Sequence, residues 1–509
     1  MATKHLTHTI RLAGDGRAAV ARIRAADREQ LEKHVFQRYP HREWGTFFRF
    51  GWTRTPWGVA VNYVAPVLPE AGDLDRQTGM TTFRDQYSRR AFQAAAGKDR
   101  LAVGVVHSHP AGYRTSPSPL DDDMDEYFAR ELAAYSGGMP YCSLILERND
   151  DTGLSFSGRV YDRGDWLPVS DLLTVGRRLE RQASALVGGP PEPDFEDVAT
   201  TERLLSLMGS ASARRLRATT VGVIGCSGTG SPAIHVLARA GVGNFVLVDP
   251  ERLSASNLER LHGSFRRHLM ESALPFKVDL MREMIAEINP AARVTALVGN
   301  ILHENVFHEL LRCDLVLCCV DSYHGRVAIS DFASHHMLPS IDVGLAMNGK
   351  NGRLTEQVVD LTRYSPDLPC AFCRGRIEAA ELAQEVMSDG EREERKRQAE
   401  QAADRGEDPD QYWRSRPRQI HTVGYLTTTA GALAAGYAEG WLTGAFEMPH
   451  ESFQFDIGRE RLGCVAPPQG RIEGCRCLSL TGWGEAARPY RNVALPIHWV
   501  RRAVLRSRS

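Results

Sequence analysis

The pattern of apolar and polar positions divides the chain into two regions in which strands and helices alternate. In the first region, residues 44–67 are rich in strand-forming side chains, residues 101–106 form a short apolar run, and the apolar positions after Asp121 follow helical spacing. In the second, an apolar run at 221–224 leads into a glycine-rich turn, a helical segment and another apolar run that ends before Asp249. This succession predicts an α/β domain followed by a doubly wound parallel sheet.

The domain boundaries are predicted from changes in composition. Residues 188–193, Gly-Gly-Pro-Pro-Glu-Pro, favour neither helix nor strand and indicate a linker. The charge-dense stretch 379–413 is typical of a solvated helix or loop rather than a binding patch. The predicted divisions are an N-terminal α/β domain at 1–165, a linker at 166–198, a Rossmann-like domain at 199–445 and a C-terminal extension at 446–509.

Composition narrows the class of protein. A chain of 509 residues exceeds what one hydrophobic core supports, and 42% hydrophobic with 25% charged residues is typical of globular domains. The net charge of -1 disfavours nucleic acid and anionic lipid as partners. We expect a cytoplasmic protein, because the sequence shows neither a signal peptide nor the roughly 18 apolar residues of a membrane span. Its ten cysteines are then free thiols or metal ligands.

A histidine pair in the first region predicts a catalytic metal site. His107 and His109 alternate along a predicted strand, so their imidazoles lie on one face and can bind one metal ion. Asp121, at the start of the next helix, would be a third ligand and would leave the open position that catalytic zinc requires. Glu43 is a candidate general base, and Ser118 a candidate hydroxyl for stabilising an oxyanion.

These residues resemble the motif Glu…His-x-His…Ser-x-x-Asp of the JAB/MPN (JAMM) metalloprotease family, over about residues 1–165. The resemblance implies a zinc isopeptidase with His107, His109 and Asp121 as ligands. The interval between His109 and Ser118 is one residue longer than is usual in that family, so Asp122 and Asp123 remain alternatives to Asp121.

The glycine-rich turn of the second region predicts a nucleotide site. Three glycines, Gly225, Gly228 and Gly230, let the backbone approach phosphates at a helix N-terminus. Asp249, at the end of the second strand, is placed to bind ribose hydroxyls. These features alone fit a nicotinamide-dependent oxidoreductase equally well, which is therefore kept as a rival interpretation.

Further polar residues favour adenylation over hydride transfer. Together with Asp249, they resemble the ThiF/MoeB family and the adenylation domains of ubiquitin-activating enzymes, over about residues 200–445. The resemblance implies that Asn257, Arg260 and Lys277 bind the phosphates of ATP and that Asp321 holds Mg²⁺. It also implies a homodimer, in which Arg203 would reach the nucleotide of the neighbouring subunit.

Cysteine spacing predicts a second, structural zinc site. Cys370 and Cys373 form a knuckle that can place two thiolates on one ion, and Cys475 and Cys477 can supply the others, with Cys464 as an alternative ligand. No cysteine lies between Cys373 and Cys464, the interval in which thioester-forming relatives keep their nucleophile. We therefore expect no thioester at that place.

The two resemblances together imply a bifunctional enzyme for a ubiquitin-like protein. The zinc half would trim or deconjugate the protein, and the ATP-dependent half would adenylate its C-terminal glycine. The acceptor stays open between a conjugating-enzyme-like protein and a sulfur donor that leads to a thiocarboxylate. A scaffold without catalysis, which only recognises ubiquitin-like folds, is the remaining alternative.

Overall fold

A computed structural model gives the structure of the protein over residues 10–78, 80–95, 97, 100–149, 153–187, 201–413, 422–446, 450–458, 463–465 and 470–487. The strands are β1 (Ala18–Arg24), β2 (Trp44–Thr55), β3 (Gly58–Val67), β4 (Leu74–Thr78), β5 (Met80–Phe83), β6 (Ala102–Ser108), β7 (Tyr141–Asn149), β8 (Gly153–Asp162), β9 (Asp165–Val175), β10 (Leu179–Ala183), β11 (Thr220–Ile224), β12 (Asn244–Val248), β13 (Arg293–Leu297), β14 (Leu315–Cys318), β15 (Ser340–Lys350), β16 (Arg353–Tyr364), β17 (Ser452–Asp456) and β18 (Gly463–Val465). The helices are α1 (Ala25–Val35), α2 (Asp85–Ala95), α3 (Pro119–Ser136), α4 (Glu202–Ala218), α5 (Gly230–Arg239), α6 (Lys277–Ile288), α7 (Glu304–Leu310), α8 (Tyr323–His335), α9 (Ala379–Glu385), α10 (Asp389–Asp404), α11 (Gly424–Thr443) and α12 (Arg476–Ser479).

The described residues fall into two compact units. The first contains those within 1–193, 334–337 and 478–488, and the second contains the others. No helix among the described residues is both long enough and apolar enough to cross a bilayer.

The first unit is built on an eight-stranded sheet in the order β1-β3-β2-β6-β7-β8-β9-β10. β1 also pairs with β9, so the sheet closes on itself. Phe47 packs against the rings of Tyr87, Phe92 and Phe128, which brings α2 and α3 onto β2. This aromatic packing fixes α3 against the sheet whose strand β6 contains His107 and is followed by His109.

Local sequence determines where α3 begins and ends. Ser118 caps its N-terminus in a reciprocal capping box with Asp121, and Pro119 follows at the first helical position. Gly137 ends the helix in the left-handed conformation, with φ of 61°. The predicted metal ligand Asp121 is therefore held in the first turn by the same bonds that start the helix.

The second unit contains an eight-stranded sheet in the order β13-β12-β11-β14-β15-β16-β17-β18. Pairing is parallel from β13 to β15 and antiparallel from β15 onwards. The parallel part has the strand order of a doubly wound Rossmann-like fold, with its topological switch between β11 and β14. The predicted α/β class with a Rossmann-like second half is confirmed.

The structure differs from the predicted domain limits. Residues 166–183, expected to be linker, supply most of β9 and all of β10 to the sheet of the first unit. Residues 450–477, expected to be an extension that carries the second half of a cysteine zinc site, also supply β17 and β18 to the sheet of the second unit. β9 pairs with the distant β1 as well as with its neighbours, and β17 pairs with β16 about 90 residues earlier, and local composition does not reveal these distant pairings. The rest of the predicted linker, 188–198, and the chain after residue 487 lie outside the described residues.

Candidate functional sites

The structure brings the predicted zinc ligands of the first unit together. His107 lies near the end of β6, His109 follows it, and Asp121 lies in the first turn of α3. The Nε2 atoms of His107 and His109 lie 3.2 and 3.7 Å from the two carboxylate oxygens of Asp121. All three side chains are buried. Burial alone would raise the pKa of Asp121, but the two imidazoles hold it well below its usual range.

One nitrogen of His109 is turned toward the ligand cluster by a backbone contact. Its Nδ1 donates to the carbonyl oxygen of Arg114 at 2.7 Å, which leaves Nε2 facing Asp121. Burial lowers the pKa of His109, but Asp121, the Arg114 carbonyl and the charge of Glu43 outweigh this effect and raise it. Metal-bound histidines are usually oriented in this way, by a hydrogen bond from the ring nitrogen that does not bind the metal.

His107 supplies the test of whether the cluster fits a metal ion. Both of its ring nitrogens are buried, and neither has a hydrogen-bond partner among the described residues. Its 3.2 Å approach to Asp121 is close enough for a charge contact but lacks hydrogen-bond geometry. The ligand atoms lie within 4.8 Å of one another, and tetrahedral zinc with bonds of about 2.0–2.1 Å needs edges near 3.4 Å. The set therefore fits zinc after a small contraction.

The two neighbouring carboxylates are less suited as ligands, one because of its contacts and the other because of its exposure. Asp122 binds the guanidinium of Arg159 and the backbone N–H of Ile10, and Asp123 is exposed. Of the three acidic residues that the sequence left open, the structure favours Asp121.

The two predicted non-ligand residues lie beside the cluster. Trp44 pairs with Ser108 in antiparallel register, so Glu43, just before β2, lies at the level of His109. Ser118 is exposed, and its hydroxyl accepts from the Asp121 amide at 3.3 Å. The same hydroxyl also interacts with the Asp121 carboxylate, so it could donate to a bound group by exchanging that contact.

The glycine turn of the second unit lies at the switch point of the sheet. Gly225 has φ of 88° and packs on the backbone of Cys319, so this position requires glycine. At Gly230 a Cβ would lie 1.9 Å from the Gly225 carbonyl oxygen, and at Gly228 it would meet the Arg260 side chain at 2.8 Å. The turn is therefore tightly folded, with Arg260 lying over it.

Asp249 and Lys277 are both buried at the same edge of the sheet. The Asp249 carboxylate accepts from the Cys226 amide of the glycine turn and from the Glu251 amide, both at 2.8 Å. Burial raises its pKa, and the charge of Lys277 opposes the shift. The Lys277 ammonium itself is hydrogen-bonded to the exposed carboxylate of Glu251. An incoming phosphate would have to replace Glu251 as the partner of Lys277.

The remaining predicted nucleotide residues differ in their surroundings. Asn257 is buried, and its side-chain oxygen accepts from the Ser254 amide, which leaves its amide group able to donate. Asp321 is exposed and follows β14, whose end lies beside that of β11. Arg203 is exposed in the first turn of α4, so its predicted role across subunits stays a prediction.

Four cysteines of the second unit converge on one point. Cys370 and Cys475 have their sulfur atoms 3.6 Å apart, and Cys373 and Cys477 are 3.7 Å apart. These distances are far too long for a disulfide and match the edge of about 3.8 Å in a tetrahedron with Zn–S bonds of about 2.3 Å. The backbone N–H of Ile472 also donates to the Cys373 sulfur at 3.3 Å. The cluster fits a structural zinc ion and is complete without Cys464.

Sequence reasoning missed the residues that hold these sites in place. The Arg114 contact is made by a backbone carbonyl, so side-chain type gives no signal for it. Glu251, two positions after Asp249, could have been found because a buried lysine requires a carboxylate nearby. Glu385, which binds the start of α8 beside Asp321, lies in the charge-dense stretch and could not be singled out there.

Comparison with known sequences gives a match in the second region of the chain. A sequence profile of the ThiF family matches residues 200–476, more than half of the 509 residues. Adenylyltransferase and sulfurtransferase UBA4 of Eremothecium gossypii is 29% identical over 161 residues, which are 31% of this chain and 33% of that protein. UBA4 of Saccharomyces cerevisiae strain YJM789 is 30% identical over 167 residues, 32% and 35% of the two chains. The uba4 protein of Pyricularia oryzae is 35% identical over 130 residues, 25% of each chain.

These matches are partial. The aligned parts cover about a third or less of the relatives' own length. Among solved structures, the Microcin C7 biosynthetic enzyme MccB in complex with N-formylated MccA has a TM-score of 0.42 and 15% identity, and the match covers 57% of this chain and 77% of that one. E. coli MccB with ATP has a TM-score of 0.39 and 15% identity, with 56% and 75% covered. Likenesses this distant carry no information on substrate or partner.

Proposed function

The chain belongs to the ThiF family, and from this premise we propose that its second unit adenylates the C-terminal carboxylate of a ubiquitin-like protein at the expense of ATP. The observation that carries the proposal is the arrangement at the switch point of the sheet. The carboxyl ends of β11, β12 and β14 lie side by side there, and they carry the glycine turn with Arg260 over it, the buried Asp249, and Asp321 shortly after β14. The buried Lys277 acts electrostatically on Asp249. The names of the UBA4 relatives, adenylyltransferase and sulfurtransferase, agree with it.

Each residue has a definite task in this reaction. The substrate carboxylate attacks the α-phosphorus of ATP, an acyl-adenylate forms, and the P–O bond to pyrophosphate breaks. Arg260 and Lys277 offset the charge that develops on the leaving pyrophosphate. Asp249 accepts from the ribose hydroxyls, since both of its oxygens retain acceptor capacity. Bound Mg²⁺, for which Asp321 is the ligand on this chain, would add positive charge beside the triphosphate.

Adenylation is tested with the full chain, ATP and a panel of ubiquitin-like proteins that end in glycine. Intact mass should show a substrate heavier by one AMP, and labelled pyrophosphate should exchange into ATP. Asp321→Ala should lower the exchange rate by roughly two orders of magnitude, because the metal loses its carboxylate ligand. Absence of exchange with every member of the panel, or full exchange by Asp321→Ala, would overturn the proposal.

We also propose that the first unit is a zinc isopeptidase that trims or deconjugates the same ubiquitin-like protein. The supporting observation is the buried cluster of His107, His109 and Asp121, in which neither ring nitrogen of His107 has a hydrogen-bond partner among the described residues. Bound zinc would supply a Lewis acid and an activated water molecule. Glu43, at the level of His109, would take a proton and return it to the leaving amine, and Ser118 would donate to the oxyanion.

The isopeptidase role makes a prediction for Glu43, which is a base and not a ligand. Glu43→Gln should reduce cleavage of a ubiquitin-like fusion by roughly 10²–10⁴-fold, because a carboxamide cannot accept the proton. Zinc content, measured by metal analysis, should stay at the wild-type level. If the variant loses zinc together with activity, Glu43 is a ligand and the assigned role is wrong.

The fate of the adenylate separates two routes. In conjugation a conjugating-enzyme-like protein accepts the activated tail; in sulfur transfer a sulfur donor converts it to a thiocarboxylate. The word sulfurtransferase in the names of the UBA4 relatives favours the second route. In this route the persulfide of the donor displaces AMP to give an acyl disulfide, and a thiol then reduces the S–S bond and releases the thiocarboxylate. A substrate that becomes heavier by the difference between sulfur and oxygen, once a persulfide donor and a thiol reductant are added, would establish it. We also propose a cytoplasmic homodimer in which Arg203 reaches the partner's nucleotide.

A further inference from the structure

A single carboxylate outside the predicted site holds the start of the helix that follows Asp321. Glu385, the last residue of α9, accepts from the backbone amides of Tyr323 and His324 at 3.0 and 2.9 Å. It also accepts from Nδ1 of His324 at 2.9 Å. Burial would raise the pKa of Glu385, but these bonds outweigh it and lower the pKa, so the group is an anion.

The position of these bonds makes them relevant to the nucleotide site. The first amides of a helix have no partner within the helix, and a carboxylate there is also favoured by the helix dipole. α8 begins at Tyr323, only two positions after Asp321. Fixing the first turn of α8 therefore fixes the chain on one side of Asp321, and the end of β14 at Cys318 fixes it on the other.

His324 extends this contact across the edge of the sheet. A carboxylate is only an acceptor, so Nδ1 of His324 must carry a proton toward Glu385. In the neutral ring, Nε2 is then an acceptor, and it lies 3.4 Å from the side-chain nitrogen of Asn300 and 3.4 Å from the hydroxyl of Ser322. Asn300 follows β13 and Ser322 follows Asp321, so one imidazole connects the carboxyl edges of two strands to Glu385.

Glu385 is in turn held by the segment that leads to it from the cysteine cluster. In this segment, residues 374–385, Arg374 binds the carboxylate of Glu451 at 2.7 Å. Arg376 binds Asp360 and Ser452, both at 2.7 Å, and so ties the segment to β16 and β17. The segment that leads to Glu385 thus begins next to Cys373 and is anchored to the sheet at Arg374 and Arg376.

We propose that Glu385 is a positioning residue of the nucleotide site, which fixes the first turn of α8 and thereby the Asp321 carboxylate in the orientation that receives Mg²⁺. The inference rests on the proposed adenylation function. It implies that α9 has to be docked on α8 before the metal-bound nucleotide is held at full strength. Glu385 touches neither nucleotide nor metal in this role.

The test is ATP binding by the full chain, measured by calorimetry with Mg²⁺ and with EDTA. Glu385→Ala should weaken binding of ATP in Mg²⁺ roughly fivefold, which corresponds to about 1 kcal/mol, the usual effect of losing a helix N-cap. Binding in EDTA should stay unchanged, because Asp321 then has no metal to hold. Glu385→Gln keeps one acceptor oxygen, so its affinity for ATP in Mg²⁺ should lie between those of the wild type and Glu385→Ala. Gln384→Ala on the same helix is the matched control and should bind as the wild type does.

Hydrogen exchange supplies a readout that does not depend on nucleotide. In Glu385→Ala, the amides of Tyr323 and His324 should exchange faster, while the peptide that contains β14 should keep its protection. Unchanged binding in Mg²⁺, or an equal loss in Mg²⁺ and EDTA, would overturn the positioning role. If the wild-type chain itself does not bind ATP, the adenylation proposal fails instead, so the two failures are distinguishable.

Discussion

At the residue scale, the second and third glycines of the nucleotide turn, Gly228 and Gly230, differ in what an added side chain would meet. At Gly230 an added Cβ would collide with a backbone carbonyl, which cannot move without opening the turn. At Gly228 it would meet the flexible side chain of Arg260, which can shift. We therefore predict that Gly230→Ala weakens ATP binding roughly tenfold or more, whereas Gly228→Ala has a smaller effect. Calorimetry with ATP measures both.

The Gly228→Ala variant also tests how Arg260 is used. If the Arg260 guanidinium moves with its displaced stem, pyrophosphate exchange should fall more than ATP affinity does, because Arg260 is assigned to the charge of the leaving group. Equal effects of Gly228→Ala and Gly230→Ala on affinity would mean that the turn is more plastic than its contacts indicate.

At the element scale, the sequence predicted best those parts that depend on neighbouring residues. The alternation of His107 and His109, the helix after Asp121 and the strand that ends before Asp249 follow from local periodicity, and the structure has them. β9 and β10 were missed although β9 pairs with both of its sequence neighbours, because the two-residue turn Arg163-Gly164 between β8 and β9 was not recognised as a hairpin signal. Only the pairing of β9 with β1, about 150 residues earlier, has no local signal. The linker predicted from residues 188–193 was therefore placed too far toward the N-terminus, because it was taken to begin at residue 166.

The capping box of α3 yields the prediction for this scale. The Ser118 hydroxyl accepts from the Asp121 amide and also interacts with the Asp121 carboxylate, so Ser118→Ala removes a helix cap and one of the contacts that orient a proposed zinc ligand. The bond from the Ser118 backbone N–H to the same carboxylate stays. Unfolding free energy of the first unit should fall by about 1 kcal/mol. Zinc affinity should fall roughly tenfold, as is usual when an outer contact of a ligand is removed. Ser118→Thr, which keeps the hydroxyl, is the control and should have the stability and the zinc affinity of the wild type.

Zinc affinity is measured by competition with a chelator. An unchanged affinity in Ser118→Ala would mean that Ser118 does not position the zinc ligand.

At the scale of the whole molecule, the two metal clusters differ in how their ligands are brought together. The first is formed by a strand end and the helix after it, both fixed by the core of the first unit. The second joins the 370–373 turn to cysteines about a hundred residues later, at the start of a four-residue helix. Zinc should therefore stabilise the second unit and have little effect on the stability of the first.

This difference predicts the outcome of removing each metal by substitution. The wild-type chain should carry one zinc ion per cluster, and His107→Ala and Cys373→Ser should each lose one of them in metal analysis. Only Cys373→Ser should lower the melting temperature of the second unit, because only there does the metal connect segments that the fold leaves apart. His107→Ala should keep ATP binding intact, since all the residues assigned to the nucleotide lie in the other unit. A fall in stability of the second unit on loss of His107, or a Cys373→Ser variant that keeps both ions, would contradict the assignment of a structural and a catalytic site.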